Sequence, residues 1–382
     1  MGPELEYNSG FKIVFLALRL IVVSAILFGC GSTKLPSARS TEIPLPAPSL
    51  DIRPSSTPQL MVQPTFTNVP TSTSVTSLVP PAPVLPVLDF RKFFPTVPPG
   101  VGKVYNHIIF YSNISGVYLL YQINLDGSDF IQLSEINDSD VYDMEPAWST
   151  DGRIAFTSDH VDGKWEVFFL YPDRPLPVQL TSWGADSWSL GWSPDGKYLT
   201  FVSNVTQDEE IYLISADGGT PVNLTQSPDA NDFLPVWSPD GQQIMFVSNR
   251  EGGINLDIYV MNFDGSELTR LTTSQARDTS PNWSPDGSKI AFVSDRESNF
   301  EVYVMGYPEG TETNGGIPIR LTNTAEYEWS PTWSPDGHYI AFTSLRDNNN
   351  ENYQVYIMAP DGSNQTRVTN DNGDDIIPRW WP

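Results

Sequence analysis

From about residue 105 onward, short runs of β-branched and aromatic residues alternate with polar turns in a fixed order. One run is Ile290-Ala291-Phe292-Val293-Ser294, echoed by Ile340-Ala341-Phe342-Thr343-Ser344. After a polar loop comes a second, such as Glu301-Val302-Tyr303-Val304-Met305. Runs of this length and composition, bounded by Gly, Asp, Asn and Pro, predict strands. Ahead of the first run stands WSPDG or a near copy. Its tryptophan ends one strand and its Pro-Asp-Gly makes a turn, because proline presets φ, aspartate bonds the local backbone and glycine accepts positive φ. A further turn, often Asp-Gly (Asp217-Gly218, Asp264-Gly265, Asp361-Gly362), leads to a short last strand ending at Leu224-Thr225, Leu271-Thr272 or Val368-Thr369. Each unit therefore carries four strands.

The WSPDG tryptophans are Trp148, Trp192, Trp237, Trp283 and Trp333, at steps of 44, 45, 46 and 50 residues, and Trp380 follows 47 later. A period in this range belongs to four-stranded propeller blades. The two ends of the array fix the count. The first unit opens on a second-strand copy, Ile108-Ile109-Phe110-Tyr111-Ser112, with no first strand before it. The chain finishes on Ile376-Ile377-Pro378-Arg379-Trp380, a first strand with nothing after it. Placed side by side they complete a sixth blade and remove the free edges of an open array. The expected fold is all-β, one six-bladed propeller over residues 104–382.

The WSPDG turn and the acid-Ile-Tyr-Val-Met third strand resemble the TolB-type, WD40-like propeller repeats of the PD40 group. The resemblance covers about residues 105–382 and implies the propeller fold. It also implies a role like that of TolB, which organises the cell envelope with a peptidoglycan-associated lipoprotein. TolB has an α/β domain before its propeller and is a soluble periplasmic protein; here a different segment takes that place.

Residues 1–29 read as an address. The uninterrupted apolar part, Leu20–Gly29, follows Lys12 and Arg19 and has the length of a signal-peptide core. A spanning helix needs about 20 mainly apolar residues, and Arg19 would fall near its middle. The run ends Leu27-Phe28-Gly29-Cys30-Gly31-Ser32, which resembles a bacterial lipobox. That resemblance implies lipidation of Cys30 and export to the outer face of a bacterial membrane, or to the outer membrane of a cell that has two. The alternatives are a plain signal peptide or an uncleaved anchor. Residues 30–103 are read as a disordered Pro/Ser/Thr-rich tether and leader, since they lack the apolar periodicity needed to offset ordering entropy.

Charge and composition then narrow the partners. The chain carries a formal −25, and after residue 103 thirteen Lys or Arg face forty-one Asp or Glu, about −28. Such a field repels nucleic acid and anionic lipid and draws cations and basic protein surfaces toward a head expected to be monomeric. Cys30 is the single cysteine and there are three histidines, so neither a disulfide framework nor a Cys/His zinc site is expected. An acidic residue recurs three positions before the first-strand proline: Asp143, Asp232, Asp278, Glu328 and Asp375, with Asp186 one place off register in the third blade. If first strands line a channel, these carboxylates ring one mouth, able to hold Ca²⁺ or a basic segment of an envelope protein. The competing reading gives each acid a local job within its own loop.

Trp183 and Trp188 break the pattern and are candidate aromatic contacts, with packing as the alternative. Arg250 with Asp257, and Arg296 with Glu301, are expected as cross-strand ion pairs. None of His107, His160 and His338 belongs to a nucleophile-base pair, and G-x-S-x-G does not occur. The function expected is a membrane-tethered binding module. The alternative is a carboxylate-dependent hydrolase acting on envelope or environmental polysaccharide.

Overall fold

The computed structural model describes residues 107–134, 142–161, 163–171, 176–252, 254–346 and 352–380. The expected signal peptide, Cys30 and the tether and leader lie outside the described residues. Six four-stranded antiparallel sheets make up the fold. The inner strands, in chain order from blade 2, are Asp143–Trp148, Ser187–Trp192, Asp232–Trp237, Asp278–Trp283, Glu328–Trp333 and Asp375–Trp380. The last of these belongs to blade 1, whose other strands are His107–Ser112, Leu119–Asn124 and Ile131–Gln132. Blade 5 is typical, running outward from Asp278–Trp283 through Lys289–Ser294 and Glu301–Gly306 to Ile319–Arg320.

The ring closes as the two ends of the repeat demand. Ile108 pairs with Trp380, Ile109 with Arg379, Tyr111 with Ile376 and Ser112 with Asp375, all antiparallel. The outer strands are only two residues long, which leaves each blade a short free edge.

Most of the hydrophobic core lies between blades. Phe169 of blade 2 stacks on Trp192 of blade 3 with ring centroids 4.9 Å apart, in a cluster that also holds Ala147, Leu199 and Phe201. Three of the motif tryptophans pin one blade to the one before it. The Trp192 indole N–H donates to the Ala147 carbonyl and that of Trp380 to the Thr332 carbonyl, both at 3.0 Å. Trp237 donates to Thr200 Oγ1 at 3.2 Å. The WSPDG turns hold as read: Ser284 donates to Asp286 Oδ1 at 2.6 Å, the Ser288 N–H to the same oxygen at 3.0 Å, and Gly287 has φ +70°.

One boundary differs from the sequence reading. The proline taken to open the first strand stands at its fourth position, and the strand begins at the acid. A β-bulge makes room for it: the register shifts between Thr279 and Asn282, and Ser280 has φ +49°. The same left-handed residue recurs as Glu145, Ser189, Leu234, Ser330 and Ile377, with φ between +50° and +56°. Proline cannot donate to the ladder, and a bulge is where a strand tolerates it.

Closure gives a direct prediction. A chain ending at Gly373 leaves His107–Ser112 without its inner neighbour and exposes the blade-1 core around Phe110 and Val355. Near-UV circular dichroism and size-exclusion chromatography are expected to show lost tertiary signal and aggregation.

Candidate functional site

The six acids singled out in the sequence gather at one end of the blades, where inner strands begin and second strands finish. There Asp232 sits opposite Ser248, Asp278 opposite Ser294, Glu328 opposite Ser344, Asp143 opposite Ser158 and Asp375 opposite Ser112. In blade 3 the in-register residue is Ser187, opposite Ser203, and Asp186 precedes it. All five strand-opening acids are buried, four with no exposed surface. Asp186 takes a local role, accepting the Trp165 N–H at 3.3 Å.

Blades 4, 5 and 6 share one device. An arginine two residues past the second-strand serine turns back onto the inner acid: Arg250 to Asp232, Arg296 to Asp278 and Arg346 to Glu328, each at 2.9 Å. The Nε of each arginine donates to that serine's Oγ, again at 2.9 Å. Each guanidinium also lies over a Phe–Tyr pair, as Arg296 does over Phe292 and Tyr303 at 5.5 and 5.1 Å. The expected pairs are therefore repartnered. Asp257 goes instead to Arg270 at 2.8 Å and Glu301 to Arg320 at 2.7 Å, in a second layer on the outer side. Burial pushes the Asp278 carboxyl up to about 6 and that of Glu328 up to about 7, against the pull of their arginines.

The third-strand acids of that second layer were missed as a set in the sequence. Glu166, Glu210, Asp257 and Glu301 are all buried. The Thr181 hydroxyl donates to Glu166 and that of Thr225 to Glu210. Also missed was a charged couple on the inner strands. At the bulge position Glu145 stands where the other blades have Ser, Leu or Ile, and Arg379 stands where they have Ala147, Gly191, Val236, Asn282 and Thr332. Glu145 accepts the Ser189 N–H of the next inner strand, and burial pushes its carboxyl up to about 7 although that bond and Arg379 pull it down. Arg379 donates to the Pro378 carbonyl at 3.1 Å. An alignment of the six units would have exposed both as the odd residue in their columns.

The aromatic candidates part company. Trp188 is buried in the core between blades 3 and 4. Trp183 is half-buried, packs on Tyr212 and Phe201 at 5.0 and 5.6 Å, and donates its indole N–H to Ser187 Oγ at 3.2 Å. It covers in blade 3 the ring pair that a guanidinium covers in blades 4 to 6. Among the described residues no three His, Cys, Asp or Glu side chains are grouped to hold a metal ion. None of the described helices is long and apolar enough to cross a membrane.

A family model described as the TolB beta propeller domain, PD40, matches residues 178–256 and 253–350. An uncharacterised protein of Agrobacterium fabrum is 30% identical over 156 residues, 41% of this chain and 52% of its own length. A TolB homolog of Chlorobaculum tepidum is 32% identical over 119 residues, 31% of this chain and 26% of its own. The chain thus spans about half the length of the first relative and about a quarter of the second. The crystal structure of TolB from Acinetobacter baumannii superposes with a TM-score of 0.61 at 24% identity, over 74% of this chain and 68% of that one. At that identity the likeness is one of fold.

Two measurements test the site. Arg296→Met removes one partner of a buried pair and is expected to cost roughly 3–5 kcal/mol in urea unfolding. Lys197→Met, at the exposed pair with Asp195, is expected to leave the urea midpoint nearly unchanged. The second concerns pH. Burial, with Asp371 next in weight, pushes the Asp375 carboxyl up to about 7. A carboxyl held above its unfolded value of about 4 stabilises the fold fully below that value and loses the contribution as pH rises through the folded one. The melting temperature is therefore expected to fall between about pH 4 and pH 7, and Asp375→Asn to flatten that fall.

Proposed function

We propose that this chain, whose folded part is a TolB-like six-bladed propeller, is a membrane-tethered binding module of the bacterial cell envelope. In this reading Cys30 carries the lipid, residues 30–103 hold the propeller off the membrane, and the propeller engages an envelope protein through a basic segment. The observation that carries it is the closed ring with the TolB propeller model running across residues 178–350. The acid surplus of the folded part supports a basic partner, since it raises the encounter rate with positive surfaces. The lipobox-like stretch ending at Cys30 supports the tether. The buried acids, engaged mainly with arginine, serine and threonine side chains of their own blades, support a scaffold role for that ring. The role needs no cofactor.

Capture from native envelopes tests the reading. With the full chain cross-linked in its membrane, a specific envelope protein is expected to co-purify, and more weakly at high salt. Recovery of propeller alone, at low as well as high salt, counts against it. Cys30→Ser is expected to move the chain from the membrane to the soluble fraction; unchanged membrane association would remove the lipid tether from the proposal.

A further inference from the structure

The arginine device of blades 4 to 6 has three receptors for one guanidinium: an inner-strand carboxylate, a second-strand serine and a Phe–Tyr ring pair. Blade 3 has lost both halves of the ion pair. Ser187 stands in the acid's place, Val205 in the arginine's, and Trp183 covers the rings. Blade 1 has lost only the arginine. It keeps Asp375 as the acid, Ser112 as the serine and Phe110 with Tyr121 as the rings, but Ile114 occupies the arginine position. One backbone bond of the arginine loops is kept there. The Ile114 N–H reaches Ser112 Oγ at 3.3 Å, as the Arg250 N–H reaches Ser248 Oγ at 3.2 Å.

Asp375 consequently differs from its counterparts. Its side chain has no exposed surface and no guanidinium lies within ion-pair distance, which leaves it only the Ser112 and Thr369 hydroxyls. The neighbouring acids are engaged elsewhere. Asp371 accepts the Gly373 N–H at 2.7 Å, and Asp374 accepts from Asn113, Tyr118 and the Tyr353 N–H. Ile114, at the arginine position, is 43% exposed and its Cβ lies 3.1 Å from where a side chain on Gly373 would begin. Phe130, 40% exposed, stands 5.0 Å from the Tyr121 ring and adds an aromatic wall.

We propose that this blade-1 receptor takes an arginine side chain from a partner protein, which completes in trans the cluster that blades 4 to 6 complete in cis. The proposal rests on the reading of the chain as a protein-binding module and names the chemistry its partner presents. A guanidinium fits better than a metal ion, because the described acids do not converge as a ligand set. It also fits better than an ammonium, because a planar fork reaches serine and carboxylate together while its face lies on the rings. Entry requires the Ile114 side chain to swing aside.

The test uses the full chain in detergent with L-argininamide as the probe and L-lysinamide as the comparison. Argininamide is expected to raise the melting temperature saturably, by about 2 °C or more, and lysinamide to do so far less. Ile114→Arg supplies the guanidinium in cis, so it is expected to raise the melting temperature by itself and to abolish the response to the probe. Asp375→Asn keeps the shape and is expected to abolish the response as well, which preserves the test if the arginine variant fails to fold. No saturable rise in the wild type, or the same rise in wild type and Asp375→Asn, overturns the proposal. A retained argininamide response in a chain that captures no envelope protein would leave this site standing and count against the envelope reading alone.

Discussion

The structure depends on one pairing, that of the chain's last strand with its first. Asp375–Trp380 and His107–Ser112 are more than 260 residues apart, and joining them carries a large loop-closure cost before any contact repays it. Once made, the joint gives every blade two neighbours. The blade-1 core then joins that of blade 6, and the Trp380 indole ties the closing blade to Thr332 as Trp192 ties blade 3 to Ala147.

Buried charge is organised around the same ring. Each blade carries polar groups near one end of its inner and third strands, and solvating them internally falls to serine, threonine and arginine of the same blade. Where all partners are present, as in blade 5, the acid, the serine, the ring pair and Glu312 share one guanidinium. Glu145 and Asp375, neither with a guanidinium within ion-pair distance, are pushed up to about 7 by burial, as is Glu328 against the pull of Arg346. The seam where the ring was shut holds both: Glu145 opens blade 2, and Asp375 closes blade 1.

Architecture was legible in the sequence because a propeller repeats its signals. Five copies of the turn and strand pattern, an incomplete first unit and an orphan last strand left a single way to close. Contacts were less legible because nearness along the chain favoured the wrong partners. Arg250 lies seven residues from Asp257 and eighteen from Asp232, yet it binds Asp232, since the loop after the second strand turns inward over the sheet. The strand start was misread because proline signals a boundary, whereas here a left-handed residue and a bulge carry it inside the strand. Glu145 and Arg379 each occur once in their columns, and a repeat advertises only what recurs.

The two-residue outer strands decide how anything else can join this molecule. A guest chain seeking to lengthen a sheet would find two rungs of ladder per blade, too few to set a register or to hold it. Backbone augmentation, the least discriminating way of gluing polypeptides together, is thereby closed off at the rim. Recognition falls to side chains and loops on the two flat ends, where a single changed residue on either party is felt.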